Sequence, residues 1–297
     1  MDGSKTPKTV LAVLAHNEER RIARCLASLP LGDPGVEVHA VVNGSRDRTA
    51  EIARGFAGVM VHDYAEGGKA KSWNRFALDT PGIDADVFVF VDGDAEVLAG
   101  SVAALVKALG DNPGANAAAG MPGNGRNADA YRREMTASRG LFGDLYALRG
   151  SFIRRMRAEG IRLPEDLVGD DGLLGAMAKT DLANEDDWQD ARVVPCPEAG
   201  FLCEPTRLLS PATLRVQYKR MINYSVRHFQ NRMISKIMRG EGPKGLPTRL
   251  AALYPAWLPG LSPRRDPQLW WFDRQALARM ARAAAMVRQD DMLAGVQ

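Results

Sequence analysis

Apolar and polar positions in the first hundred residues alternate between buried-strand runs and helical stripes. Thr9-Val10-Leu11-Ala12-Val13-Leu14-Ala15 is an unbroken apolar run, the pattern of a strand covered on both faces. It breaks at His16-Asn17-Glu18-Glu19-Arg20-Arg21. Ile22, Leu26 and Leu29 then recur at helical spacing, with Asn17 placed to cap that helix. A strand over Val36–Val42 ends at the polar turn Asn43–Thr49 and leads into a helix over Ala50–Phe56. A short strand, Gly58–His62, precedes Gly67-Gly68-Lys69-Ala70-Lys71-Ser72-Trp73-Asn74, which opens another helix. Val87–Val91 is the strongest strand signal, and a helix over Ser101–Leu109 follows it. This β-α-β-α order predicts a parallel sheet with helices on both faces.

That order sends His16–Glu19, Asn43–Thr49, Lys69–Asn74 and Asp92-Gly93-Asp94 to one edge of the sheet, where open α/β sheets bind ligands. Two acids at the end of a buried strand are costly unless a cation offsets them. Asp92 and Asp94 are therefore candidates for a divalent metal held against a nucleoside diphosphate; the competing reading is a solvated Asp-Gly-Asp turn. No G-x-x-x-x-G-K-[ST] occurs and no G-x-G-x-x-G follows the first strand, which argues against a P-loop NTPase and a dinucleotide dehydrogenase.

Beyond residue 112 the pattern predicts a strand at Ala115–Met121, a largely helical basic stretch over Tyr131–Arg157 and an extended Ala191–Pro205. A second acidic pair, Asp170-Asp171, precedes the apolar Leu173–Ala178, and either caps a helix or carries chemistry. Pro211 suits a helix start with Ser210 as its cap. Leu214, Tyr218, Met221, Ile222, Phe229, Met233 and Ile237 then form an apolar stripe among many Lys and Arg. This helix, 211–239, either packs on the preceding α/β domain or makes peripheral contact with an anionic membrane surface. Past Gly240 the chain is rich in Pro, Gly and Trp, and Asp290-Asp291 reads as a solvated tail. The division expected is 1–209, with halves of about 9–111 and 112–209, followed by a helical region at 210–297.

Composition adds only limits. With 39 basic and 36 acidic residues in 297, the net charge of +3 gives no argument for nucleic acid. Cys25, Cys196 and Cys203 fit neither a disulfide framework nor a metal-site spacing, and the N-terminal residues lack a signal-peptide core. No run approaches a membrane span. The expected setting is the cytoplasm, with the inner membrane face as an alternative through the basic helix.

Six ordered segments over roughly residues 9–225 resemble the nucleotide-sugar glycosyltransferases of the GT-A fold, most closely glycosyltransferase family 2. They are Val13–Glu18, Asn43–Thr49, Gly68–Asn74, Asp92-Gly93-Asp94, Asp170–Leu174 and Gln217-Tyr218-Lys219-Arg220-Met221. They are similar to the family's Asn-Glu turn, Asp-Gly-Ser-x-Asp-x-Thr loop, Gly-Lys-x-x-x-x-Asn, Asp-x-Asp, Glu-Asp-x-x-Leu and Gln-x-x-Arg-Trp motifs. Two departures matter: Asn43 replaces an Asp that contacts the donor base, and Met221 replaces the tryptophan common in processive synthases.

The resemblance implies a Rossmann-like α/β fold and a metal-dependent transferase moving a sugar from a nucleotide diphosphate sugar to an acceptor hydroxyl, with inversion expected and retention the alternative. Met221 and the missing membrane spans argue against a processive synthase. The acceptor class stays open among glycans, lipid-linked molecules and small molecules. The resemblance makes Asp94 the direct ligand of Mg²⁺ or Mn²⁺, and Asp92 a contact to the ribose or the metal's water shell. Lys69, Arg220 and Gln217 fall on the donor's base or phosphates, and Asn17, Glu18 and Asn43 on its nucleoside. Asp171 aligns with the proton-accepting acid, with Asp170 second and Glu165-Asp166 as nearby competitors. The rival readings are a nucleotidyltransferase that makes nucleotide-sugars, whose Gly-rich loop is missing after the first strand, and a non-catalytic sugar- or partner-binding protein.

Overall fold

The computed structural model describes residues 7–125, 127–204 and 211–294, with side chains from 214 to 287 in the C-terminal part. Ser210, the expected helix cap, lies outside the described residues, as do the side chains of Asp290 and Asp291. The order begins with β1 (Thr9–Ala15), α1 (Ile22–Ala27), β2 (Val36–Asn43), α2 (Thr49–Arg54), β3 (Val59–Tyr64) and α3 (Lys69–Asn74). Then come β4 (Val87–Asp92), β5 (Ala95–Val97), α4 (Ser101–Asp111), β6 (Ala117–Pro122) and α5 (Ala128–Ser138). The chain continues through β7 (Leu145–Arg149), α6 (Gly150–Glu159), α7 (Asp170–Lys179) and β8 (Val193–Cys203). The helices α8 (Pro211–Arg239), α9 (Tyr254–Trp257) and α10 (Pro267–Ala294) complete it.

Among the described residues eight strands join one mixed, mostly parallel sheet in the order β3-β2-β1-β4-β7-β6-β8-β5. The first four run parallel, and β1 sits between β2 and β4. The chain winds outward from β1 to β3 and then crosses back to place β4 on the other side of β1. The loops after β1 and β4 therefore meet at the switch point where such folds open a crevice. The approach there is tight: Gly93 N–H donates to Leu14 O at 2.9 Å, and a Cβ on Gly93 would lie 2.8 Å from that of Ala15.

Alternation along the strands builds a core on each face. Val10, Ala12, Leu14, Phe88 and Phe90 point to one side, and Leu11, Val13, Val87, Val89 and Val91 to the other. The first face also takes Phe229 and Met233 of α8 and Met280 of α10, so the C-terminal helices share a core with the sheet. Among the described residues no helix is long and apolar enough to cross a membrane.

Two expectations, the helical stretch 131–157 and the Asn17 cap, need correction. The stretch 131–157 is two helices separated by β7, because Leu145–Leu148 is buried between β4 and β6. The expected mostly parallel sheet is present: β1 to β4 are parallel, while β7 runs antiparallel to both neighbours and β5 antiparallel to β8. Asn17 does not cap α1: Arg21 holds that position, and Asn17 adopts φ 55° with its side-chain oxygen accepting from Arg46 N–H. The backbone of the Asp290-Asp291 stretch belongs to α10. The apolar stripe of α8 divides, with Phe229 and Met233 buried while Leu214 and Tyr218 are exposed.

Candidate active site

The strand-end loops are stitched together by short polar contacts. Asn17 N–H donates to Ser45 Oγ at 2.9 Å and Glu18 N–H to Thr49 Oγ1 at 2.7 Å, fastening the loop after β1 to the loop after β2. Asn43 is 4 % exposed, and both ends of its side-chain amide are hydrogen-bonded. Its Nδ2 donates to Ala15 O at 3.1 Å, and its Oδ1 accepts from Gly68 N–H at 3.3 Å. Its side chain thus ties β1, β2 and the approach to α3. The next residue, Gly44, has φ 57°, and a Cβ there would lie 2.5 Å from Gly67 N, so only glycine fits.

The acids collect at the end of β4. Because β7 is antiparallel to β4, with Val91 opposite Leu145, the residue just before β7 arrives beside the end of β4. That residue is Asp144. Asp92, Asp94 and Asp144 each offer an oxygen, and these atoms lie within 4.8 Å of one another. A cluster of carboxylate oxygens at this spacing suits a hard divalent cation. Burial pushes the Asp92 carboxyl up to about 8; Lys69 opposes the shift, and Asp144 and Asp170 add to it. Burial likewise raises Asp144, whose Oδ1 accepts a hydrogen bond from the Cys203 thiol at 3.3 Å. The carboxylates crowd one another, which a bound cation would relieve.

Lys69, the first residue of α3, enters this group from the opposite loop. Its Nζ lies 2.7 Å from Asp92 Oδ1 and 3.2 Å from Asp170 Oδ1. Burial alone would lower the ammonium's pKa, but Asp170 and Asp92 hold it well above the usual lysine value. Beneath it, Trp73 Nε1 donates to the Tyr146 hydroxyl at 3.0 Å, and Phe90 stacks on Tyr146 with centroids 5.2 Å apart. Glu18 stands on the far side of the acids, where Arg21 Nε donates to its Oε2 at 2.6 Å while Arg21 Nη1 lies 3.4 Å from Asp94 Oδ2. Burial pushes Glu18 up to about 7 against the pull of Arg21.

The second acidic pair opens α7 after Gly169, a left-handed residue with φ 87°. Asp170 is 3 % exposed, and its Oδ2 has no hydrogen-bond partner among the described residues. Asp171 is more accessible and pairs with Arg227 Nη2 at 3.1 Å. Between them and Lys69 lies Gly143: a Cβ there would sit 3.4 Å from Lys69 Nζ and 3.8 Å from Asp171 Cγ, so a side chain would encroach on the space facing both. The competing acids are otherwise engaged. Asp166 accepts from the N–H groups of Leu250 and Ala251 at 2.7 and 2.9 Å, and Glu165 lies 3.7 Å from Lys71 Nζ.

Asp92, Asp94, Lys69, Asp170 and Asp171 are therefore brought together, with Glu18 behind Arg21 and Asn17 and Asn43 in the adjoining loops. Asp144 and Arg227 join them unforeseen. Gln217 is half-buried and Arg220 exposed on α8. From α8 it is Arg227, two turns beyond Arg220, that reaches the acidic pair. Gln230, also further along, is buried: its Oε1 accepts from Val168 N–H at 2.8 Å, and its Nε2 donates to Asp166 O at 3.0 Å.

The sequence profile of glycosyl transferase family 2 matches residues 11–168. Protein RfbJ of Shigella flexneri is 31% identical over 94 residues, which is 32% of this chain and 70% of that protein. The 4,4'-diaponeurosporenoate glycosyltransferase of Staphylococcus haemolyticus is 31% identical over 100 residues, 32% of this chain and 26% of that enzyme. In fold, the chain is similar to a mannosyltransferase from Pyrobaculum calidifontis solved with GDP-Man and Mn²⁺. That likeness has a TM-score of 0.61 at 21% identity and covers 98% of this chain and 81% of the other. Glucosyl-3-phosphoglycerate synthase from Mycobacterium tuberculosis, solved with Mn²⁺, UDP and glucosyl-3-phosphoglycerate, has a TM-score of 0.51 at 20% identity over 73% of this chain and 80% of that one.

Proposed function

The chain belongs to glycosyl transferase family 2, and from that premise we propose that it transfers one sugar at a time, with inversion, from a nucleoside diphosphate sugar to an acceptor hydroxyl. Membership in this family displaces the nucleotidyltransferase reading. The observation that carries the proposal is the meeting of Asp92, Asp94 and Asp144 beside the Asp170–Asp171 pair, with Lys69 bridging the two groups. Residues 1–209 carry the chemistry in this reading, and 210–297 cover one face of it.

The three clustered carboxylates fit Mg²⁺ or Mn²⁺, with Asp94 and Asp144 as ligands and Asp92 shared with the ribose side. When bound, such an ion supplies Lewis-acid stabilisation of the departing diphosphate. Lys69 adds a fixed positive charge at the same place, where it acts on charge that develops during bond cleavage. Glu18, Asn17 and Asn43 border the nucleoside; Asn43 contributes there by holding the loops, since its side chain is already bonded. Gln217 and Arg220 keep the assignment to the donor's base or phosphates that the resemblance implies.

Asp171 takes the acceptor's proton. Of the two acids it is the accessible one, and Arg227, 3.1 Å away, fixes its orientation. Asp170, buried against Lys69, is the second candidate and otherwise a positioning residue. Substituting Asp171→Asn separates the roles. Transfer should fall by about 100-fold or more, the usual contribution of a positioned base, while donor affinity changes little. Equal transfer rates in the variant would move the base to Asp170.

Contact with an anionic membrane surface is also proposed. It rests on exposed Leu214, Val216, Tyr218 and Tyr224 of α8 and exposed Trp270 and Trp271 of α10, with Arg215, Lys219 and Arg220 interspersed. Sedimentation with liposomes rich in anionic lipid should show salt-sensitive binding, and its absence would refute the contact.

A further inference from the structure

A cavity of about 440 Å³ opens beside the acidic centre, between the Gly67-Gly68 turn, the Glu165–Val168 segment and the C-terminal helical region. Its charged lining is Lys69, Lys71, Glu165, Asp166, Arg249 and Arg279. Asp92, Asp94 and Asp144 do not line it, nor do Asn17, Glu18 and Asn43. Lys69 is the one donor-side residue in its wall.

The acids of the wall are already matched. Asp166 accepts from two backbone N–H groups, and Glu165 faces Lys71, which also pairs with Glu66. Lys69 is spent on Asp92 and Asp170. The two arginines are not matched in this way. Arg279 Nη1 donates to Asn223 Oδ1 at 2.7 Å, which steadies the guanidinium without offsetting its charge, and Arg249 has no ion-pair partner among the described residues. Two arginines at a concave site, with forked donors left over, are the usual means of gripping a phosphate or carboxylate.

We propose that Arg249 and Arg279 bind a phosphate or carboxylate group carried by the acceptor. The Glu165–Val168 wall runs directly into Gly169 and the Asp170–Asp171 pair, so an anion held in the cavity places an attached hydroxyl on the side of the base. The donor's diphosphate belongs at the three clustered acids, which lie outside the cavity. The inference rests on the two-substrate transferase reading and assigns its second substrate an anionic group.

The test uses inorganic phosphate and, separately, acetate as probes. Each is titrated into the full chain without metal or nucleotide at constant ionic strength, and the rise of the thermal unfolding midpoint is followed. A saturable rise is expected with at least one probe, and the responding probe tells phosphate from carboxylate chemistry. Arg249→Gln and Arg279→Gln should each weaken it by about threefold and the pair by about tenfold, while Asp94→Ala leaves it intact. The two single variants keep the result readable should the double variant fold poorly. No saturable response, a response unchanged in the arginine variants, or one lost in Asp94→Ala would overturn the proposal. Donor turnover is measured on the same preparation. Turnover without an anion response overturns this inference alone; an anion response without turnover overturns the transferase reading and the acceptor assignment with it.

Discussion

Lys69 Nζ lies 2.7 Å from Asp92 Oδ1, so the loop that opens α3 carries its charge onto the end of β4 across the width of the crevice. The relationship has a signed consequence. Lys69 repels any cation held by the acids, yet attracts the phosphates that the cation would also hold. In Lys69→Met, Mn²⁺ alone should bind about threefold tighter or more, while a nucleoside diphosphate should bind more weakly. Calorimetric titrations of both would check it; weaker Mn²⁺ binding in the variant would place the lysine in a purely structural role.

Asp144 should behave as a ligand, although no local pattern marks it. The change Asp144→Asn removes one of the three clustered carboxylate charges and should weaken Mn²⁺ binding by about tenfold or more. Electron paramagnetic resonance of free Mn²⁺ during titration measures this directly. An unchanged affinity would reduce the metal site to Asp92 and Asp94.

Gly169 sets the start of α7 and hence the place of Asp170 and Asp171. With φ 87° and a would-be Cβ 2.6 Å from Arg227 Nε, Gly169→Ala meets both backbone strain and a clash with the cation that holds Asp171. The expected loss is about 1–3 kcal/mol of stability, with a fall in kcat larger than any change in donor KM. Denaturant unfolding and steady-state kinetics report the two effects separately.

A buried histidine pair gives the fold a pH dependence away from the site. His39 Nδ1 lies 3.0 Å from His62 Nε2, and burial together with His62 lowers His39 from 6.5 to about 4. Between those values the unfolded chain binds more protons than the folded one. The stabilisation is therefore complete above pH 6.5 and is lost as the pH falls through 4. The part due to His39 should shrink by about 2 kcal/mol between pH 7 and pH 5. Glu18, raised to about 7, acts with the opposite sign over the same range: its contribution is lost as the pH rises. Comparing urea midpoints of wild type and His39→Gln at both pH values isolates the histidine; a constant difference would contradict the assignment.

What could be read along the chain was local. Asp92 and Asp94 stood out because an uninterrupted run from Val87 to Val91 leads into them, and such a run has few other uses than a central strand. Asp144 was hidden because its partner is β4, more than fifty residues earlier, and β7 is a short strand set among helical residues. The same limit governs α8. Spacing picks out Gln217 and Arg220, but which turn of a long helix faces the acids depends on how α8 packs against α10, and that packing presents Arg227. Asn43 shows the reverse: its position was legible, while the bonds that occupy its amide belong to β1 and the α3 loop.

The most direct test is donor turnover. A panel of UDP-, GDP- and dTDP-sugars incubated with Mn²⁺ should show metal-dependent loss of at least one donor with the wild-type chain. The rate should fall by about 100-fold or more in Asp94→Ala and be abolished by chelation. Absence of both turnover and metal-dependent binding across the panel, or an Asp94→Ala variant as active as wild type, would contradict a metal-dependent glycosyltransferase built on this cluster.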